Sequence, residues 1–365
     1  MATLTRTTQE RSSRTRRWLT YLSFRRISAV YLLVVMVAVF AVWVPDTFLT
    51  TTTLRAILSE QAITALLAVG LVIPLAAGVF DLSIALILGS ATVTIEWLMV
   101  NQGVSAAPAI LLILCLGVAI GALNGLMVAG AKIDSFIATL GMSSALTAYV
   151  IWVTGYEQIV GSTTGFFPQL ATTPILGVTS SFYIMVGVAA IVWYVLSHRP
   201  AGRMVYATGG GIEAARLAGI RVRLVIFLAL VAAGLVAAIA GILLASQVGV
   251  GDSTEGPPYL IPAFAAAFLG STQIHTGRFN VWGTVLSVYV LAVGVQGLQL
   301  AGAPSFISDL FNGVALVLAV WLSRVERRRK SDNPAPNEPQ ADVGVGDLAP
   351  YVEPSEVAQT GQEIA

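Results

Sequence analysis

The residues able to engage a polar solute are few in this chain, and each stands within apolar surroundings. Asp81 and Ser83 lie in Gly78-Val79-Phe80-Asp81-Leu82-Ser83, between two hydrophobic runs. An ionised carboxylate at membrane depth is costly, so such a residue lines a polar pathway or is satisfied locally. Two readings stand for Asp81. It contacts a polar substrate from a short unwound segment, or it joins Ser83 in capping the amides of the next helix. Asn124, in Gly121-Ala122-Leu123-Asn124-Gly125, needs a hydrogen-bond partner when buried: a neighbouring helix, or in the less common case a substrate. Phe136, Thr139 and Met142 recur on one face of the helix that restarts after Lys132, with Asp134 or Ser135 as its cap. A ring beside a hydroxyl suits the passage of a sugar, and the same stripe also serves plain helix packing.

A second group is charged. Ile212-Glu213-Ala214-Ala215-Arg216-Leu217-Ala218-Gly219-Ile220 follows the stretch Arg199-Pro200-Ala201-Gly202-Arg203, which reads as a turn. Charges at this density do not lie in lipid. Ala214, Ala215, Ala218 and Gly219 leave one helical face nearly flat, suited to a groove on another protein. A membrane protein with such a knob is moved by something else.

Covalent chemistry finds no constellation. Cys115 is the single cysteine and sits in an apolar run, while His198 and His275 fall in different polar loops. That leaves no metal set, no nucleophile with its base, and no Gly-x-x-x-x-Gly-Lys-Ser/Thr phosphate loop. The reading is of a non-enzyme without cofactor or metal. Glu60, Glu96, Gln296 and Asp309 are further polar residues at membrane depth, suited to pathway or inter-helix contacts.

The elements that hold these residues are membrane spans. Apolar residues make up 56% of the 365 and charged ones 11%, too few charges to cover a soluble protein of this size. Segments 107–131, 224–251 and 279–308 contain no Asp, Glu, Lys or Arg, and each exceeds the roughly 20 residues a bilayer requires. The fold class is an all-α polytopic membrane protein with about ten transmembrane helices. They fall near 28–44, 56–77, 83–100, 107–131, 136–154, 178–197, 224–247, 259–270, 280–301 and 305–323. The first is a retained span, since Val42-Trp43-Val44-Pro45 replaces a cleavage site. Pro74 and Gly78, and then Gly256-Pro257-Pro258 with Pro262, interrupt helices in both halves, as in many transport sites.

Charge sets the orientation. A basic cytosolic arm, 1–27, precedes the membrane domain, 28–323, whose cytosolic loop is 198–223. The tail, 324–365, begins with Arg324, Arg327, Arg328, Arg329 and Lys330, then becomes acidic and Pro-rich, a composition that reads as disordered. With both termini cytosolic, Lys132, Arg199, Arg203, Arg216, Arg221, Arg223 and Arg278 face inward and only Arg55 faces outward. The arginine tracts flank spans, so they read as topology signals and not as a nucleic-acid site.

At four of these segments the chain resembles the permease subunits of bacterial ABC importers for monosaccharides of the ribose, xylose and galactose type. The matching segments are 78–83, 121–125, 136–142 (Phe-Ile-Ala-Thr-Leu-Gly-Met) and 202–220 (Gly-Arg-x-x-Tyr-Ala-x-Gly-Gly…Glu-Ala-Ala-Arg-x-x-Gly-Ile), in order, within about 54–322. The resemblance implies a ten-helix permease in the bacterial inner membrane. Its implied partners are a second permease subunit, a cytosolic ATP-binding subunit and an extracytoplasmic sugar-binding protein meeting outer loops near 155–177 and 248–260. It implies ATPase coupling for Glu213, Ala214, Ala215, Arg216 and Gly219. A substrate pathway along Phe80, Asp81, Ser83, Asn124, Phe136 and Thr139 fits the same scheme. Val79 and Ala85 stand where the family usually has glycine, and Phe80 is the bulky residue between. A divergent branch is indicated, with the sugar unassigned. The competing class is a self-sufficient secondary transporter or channel, against which stands the absence of paired intramembrane charges for ion coupling.

Overall fold

Helices dominate the computed structural model, which describes residues 28–161, 165–274 and 277–331. The basic arm 1–27 and the tail from 332 lie outside the described residues. In chain order the helices are α1 (Ser28–Trp43), α2 (Pro45–Phe48), α3 (Thr51–Ala76), α4 (Ile84–Val100) and α5 (Ala106–Gly125), which continues into a π-helical turn, Leu126–Gly130. Then come α6 (Ser135–Thr154), α7 (Phe166–Thr172), α8 (Ser180–His198), α9 (Pro200–Gly210), α10 (Ile212–Leu217) and α11 (Val222–Val248). A 3-10 turn at Pro257–Tyr259 leads into α12 (Leu260–Ser271), followed by α13 (Val281–Leu300) and α14 (Phe306–Ser331). Among the described residues, four two-residue strands form two antiparallel pairs. β1 (Ile159–Val160) joins β4 (Val250–Gly251), with Ile159 opposite Gly251. β2 (Pro174–Ile175) joins β3 (Val178–Thr179).

Among the described residues, seven helices are long and apolar enough to cross a bilayer: α3, α5 with its π turn, α6, α8, α11, α13 and Phe306–Ser323 of α14. Tyr31–Trp43 and α4 are apolar but shorter, and α12 has 12 residues. Two local expectations change. Pro74 does not break its helix, because α3 runs through it to Ala76 and the chain turns only at Gly78, whose φ is +84°. The stretch 199–203 is not a turn. Pro200 opens α9, a position where its missing N–H costs nothing.

Helix ends follow local chemistry. The Asp134 carboxylate accepts from the Phe136 and Ile137 amides at 2.9 and 3.3 Å and starts α6, two residues after Lys132 closes the preceding span. Asn280 accepts from the Gly283 amide at 2.8 Å and starts α13.

The core is built around α3 and α11. Lipid is as apolar as leucine, so helices associate through close packing of small residues. Gly121 lies so near α11 that an added methyl would stand 2.6 Å from the Leu230 oxygen, and one on Gly125 would stand 2.6 Å from the Phe227 ring. By contrast α6 and α14 bury only 22% and 11% of their apolar windows, against 72% for α3. Those two helices present apolar faces outward.

Candidate functional site

The chain between α3 and α4, residues 77–83, is a short connector whose backbone must be satisfied away from water. It is held from three sides. Asp81 is fully buried, and its Oδ1 accepts from the Ser83 amide at 3.0 Å and the Ser83 hydroxyl at 2.7 Å. Asn124 Nδ2, from α5, donates to Ser83 Oγ at 2.7 Å. From α6, Ser135 Oγ accepts the Phe80 amide at 3.1 Å and Thr139 Oγ1 accepts the Leu82 amide at 3.0 Å. The partner that Asn124 needs is therefore a serine on another segment. Asp81 Oδ2 and Asn124 Oδ1 remain buried without partners.

In front of this lock opens a cavity of about 890 Å³. Phe80, Phe136, Phe264 and Phe268 contribute rings to its walls, and Tyr206 and Arg278 contribute polar groups. Phe80 stacks on Phe268 with centroids 6.5 Å apart, and Phe268 meets Phe279 edge-on at 5.4 Å. Ring faces with a few polar groups make a surface able to pass a small solute that is part apolar and part hydroxylated.

The six pathway residues expected from sequence thus divide. Phe80 and Phe136 line the cavity, 40% and 50% exposed. Asp81, Ser83, Asn124 and Thr139 are wholly buried in the lock behind it. Phe136 and Thr139 share the face of α6 turned to the connector: the Phe136 ring lines the cavity, and the Thr139 hydroxyl accepts the Leu82 amide. Of the other polar residues named from sequence, Glu60 and Asp309 are exposed, and Glu96 is buried at the far end of α4 against Gly161.

Helix α9 connects the cavity to the charged knob. The Gly209 backbone lies against 76–78; a Cβ there would meet the Ala76 carbonyl carbon at 3.0 Å and the Gly78 nitrogen at 3.1 Å. Tyr206 donates its hydroxyl to the Phe279 carbonyl at 2.7 Å, and the Arg278 guanidinium sits 5.2 Å above its ring. One short helix therefore touches two walls of one cavity. The knob, α10, follows after a single extended residue, Gly211. Glu213 and Arg216 pair across one turn at 3.3 Å in full view of solvent, and Leu217 is 90% exposed. Ala215 is buried, so the flat face expected from four small residues is only partly outward: Ala214, Ala218 and Gly219 are exposed.

Sequence reasoning missed Tyr206, Gly209 and Arg278 as cavity residues. The signal for the first two lay in the Tyr-Ala-x-Gly-Gly segment, where nothing local says that this helix will touch the 76–78 connector.

At the opposite end, Gln158 Nε2 donates to Asp252 Oδ2 at 2.8 Å, and Asp252 Oδ1 accepts from the Thr254 amide and hydroxyl, both at 2.8 Å. These bonds, led by that of the Thr254 amide, hold the Asp252 carboxyl below the usual carboxylate range, while burial and the neighbouring Asp252 push Glu255 up. The clasp ties β1 to the loop after β4, at the outer segments expected to meet a binding protein.

Comparison with known proteins gives the family. The chain is 32% identical over 314 residues to the "Ribose import permease protein RbsC" of Escherichia coli (strain K12), covering 84% of this chain and 95% of the relative. It is 31% identical over 296 residues to the protein of the same name from Bacillus subtilis (strain 168), covering 81% and 90%. It is also 30% identical over 299 residues to the "Autoinducer 2 import system permease protein LsrC" of Salmonella typhimurium, covering 82% and 86%. No solved structure matches. Residues 53–320 match the family described as branched-chain amino acid transport system / permease component, and the chain belongs to that permease family.

Proposed function

We propose that this chain is the permease subunit of an ATP-driven importer of a sugar or sugar derivative, working with a separate cytosolic ATP-binding subunit and an extracytoplasmic binding protein. The observation that carries the reading is α9, which contacts the 76–78 connector through Gly209 and the Phe279 carbonyl through Tyr206. A push on α10 is thereby delivered to two walls of one cavity as rigid-body motion. Glu213, Arg216, Leu217 and Gly219 form the surface that meets the ATP-binding subunit. Import of ribose and of autoinducer 2 by the named relatives supports a hydroxylated cargo.

In this reading α1, α4 and α12 join the seven long helices to give ten membrane elements. The end of the molecule bearing Lys132, Arg278 and α10 is cytosolic. Arg55, near Gly177 at the opposite end, faces outward. The apolar outer faces of α6 and α14 suit a second permease subunit as well as lipid. Phe80 and Phe136 flank the route of the cargo, and Asp81, Ser83, Asn124 and Thr139 hold the connector that moves.

The test is reconstitution in vesicles with the two partner proteins. Labelled monosaccharide is expected to accumulate only with ATP, and a cysteine at Leu217 is expected to crosslink to the ATP-binding subunit. Uptake driven by an ion gradient with no ATPase present would show a secondary transporter instead.

A further inference from the structure

A second cavity opens toward the other end of the same helices. Ser253, Thr254, Asp309 and Asn312 line a cleft of about 510 Å³, within the roughly 300–1,000 Å³ of small-molecule sites. It adjoins a pocket of about 140 Å³ that adds Gln61 and Thr64, and Pro258, Pro262 and Asn312 belong to both. The loop after β4 forms one wall by running down beside α4. Gly251 packs on Val93, and a Cβ on Gly256 would stand 2.6 Å from the Ala85 oxygen. Those two contacts anchor the loop at Gly251 and Gly256 and hold Ser253 and the exposed Thr254 between them at the mouth of the cleft.

The polar groups here are unspent. Among the described residues, the side chains of Gln61, Thr64, Ser253, Asp309 and Asn312 make no hydrogen bond or ion pair. Of these only Thr64 is buried and Asp309 is exposed, so the set is open to solvent and free to exchange water for the groups of a ligand. Ile261, at the start of α12, lines both this cleft and the inner cavity.

We infer that the outer cleft is a reception subsite for a neutral polyhydroxylated molecule, and that Ile261 is the apolar partition crossed on the way to the inner cavity. The inference rests on the importer reading and adds a second site for its hydroxylated cargo. Hydroxyl groups donate to the Asp309 carboxylate and to the Thr254 oxygen, whose own proton goes to Asp252, and they both donate to and accept from the Asn312 carboxamide and the Ser253 hydroxyl. A free amino acid is disfavoured. Asp309 can pair with its ammonium, but no cation among the lining residues meets its carboxylate, a mismatch that a neutral molecule avoids.

The experiment uses the complete complex in vesicles, with labelled ribose as probe and labelled leucine as control. Asn312→Leu is expected to slow ribose transport about tenfold, equivalent to about 1.4 kcal/mol, while ATP hydrolysis stimulated by the binding protein is retained. Asn312→Gln is expected to restore much of the rate. In a Cys115→Ser background, Asn312→Cys is expected to react with a membrane-impermeant thiol reagent added outside, and more slowly when ribose is present. Unchanged transport in Asn312→Leu overturns the subsite, as does loss of transport and hydrolysis together without rescue by glutamine. So does an unreactive Asn312→Cys when Val160→Cys, on the exposed outer ribbon, reacts. Transport of leucine and not ribose overturns the cargo class and leaves the importer standing. Uptake without the ATP-binding subunit removes the importer reading, and thiol access at 312 then decides separately whether the cleft opens outward.

Discussion

Two adjacent glycines at the end of α9 provide the sharpest test of how motion reaches the cavity. Gly209 is pressed against backbone atoms of 76–78, with no flexible side chain to give way, whereas a Cβ on Gly210 would meet nothing within 4 Å. Both substitutions to alanine gain comparable helix propensity, at most about 1 kcal/mol. The difference between them therefore isolates the clash. Overpacking of this kind costs about 1–3 kcal/mol, and α9 relieves it by backing away from the connector. If that contact transmits the push, the same energy corresponds to a loss of coupling of about 5- to 150-fold. The assay is the amount of sugar moved per ATP hydrolysed in reconstituted vesicles, alongside the yield of folded protein in detergent. Gly209→Ala is expected to lower the ratio within that range while ATP hydrolysis continues, and Gly210→Ala to leave it within about twofold. Equal behaviour of the two variants would refute the contact as the transmission point.

Three further outcomes are expected. Glu213→Arg removes an exposed pair worth at most about 1 kcal/mol, so the protein should insert and melt normally yet lose sugar-coupled ATP hydrolysis; normal coupling would remove Glu213 from the docking surface. Ser83→Ala takes one donor from Asp81 and the acceptor from Asn124, leaving buried groups unpartnered at a cost of about 1–3 kcal/mol, seen as an earlier melting transition in detergent; an unchanged transition would mean that the lock contributes little. The Asp252 clasp has a lowered carboxyl pKa, so its contribution is complete above the ordinary carboxylate value of about 4 and fades as pH falls through the lower, folded-state value. Protease resistance of the outer ribbon should thus hold from pH 7.5 to 5 and drop only below about pH 4, and a loss between pH 6 and 5 would contradict it.

Composition and periodicity were enough to read the membrane class, because long uncharged runs leave no other way to satisfy the backbone. They also narrowed the cap of α6 to Asp134 or Ser135, and placed the close helix approach at Gly121 and the solvent-exposed charges of α10. Each depends only on residues near it in the chain, or on the solvent around it. Helix count and continuity were less legible. Pro74 costs a helix one hydrogen bond near its end, and the buried surroundings of α3 outweigh that loss, so no local rule reveals that the helix continues.

The division of labour at the site belonged to the tertiary structure alone. In sequence, Asp81 and Phe80 are neighbours with the same claim to a pathway. In space, consecutive residues of an irregular connector point in different directions, one into a buried lock and one into a cavity. The contacts that join knob to cavity link positions 209 with 76–78 and 206 with 279. Such pairings are decided by how separate helices pack, and helix packing depends on shapes that meet only when the whole chain has folded.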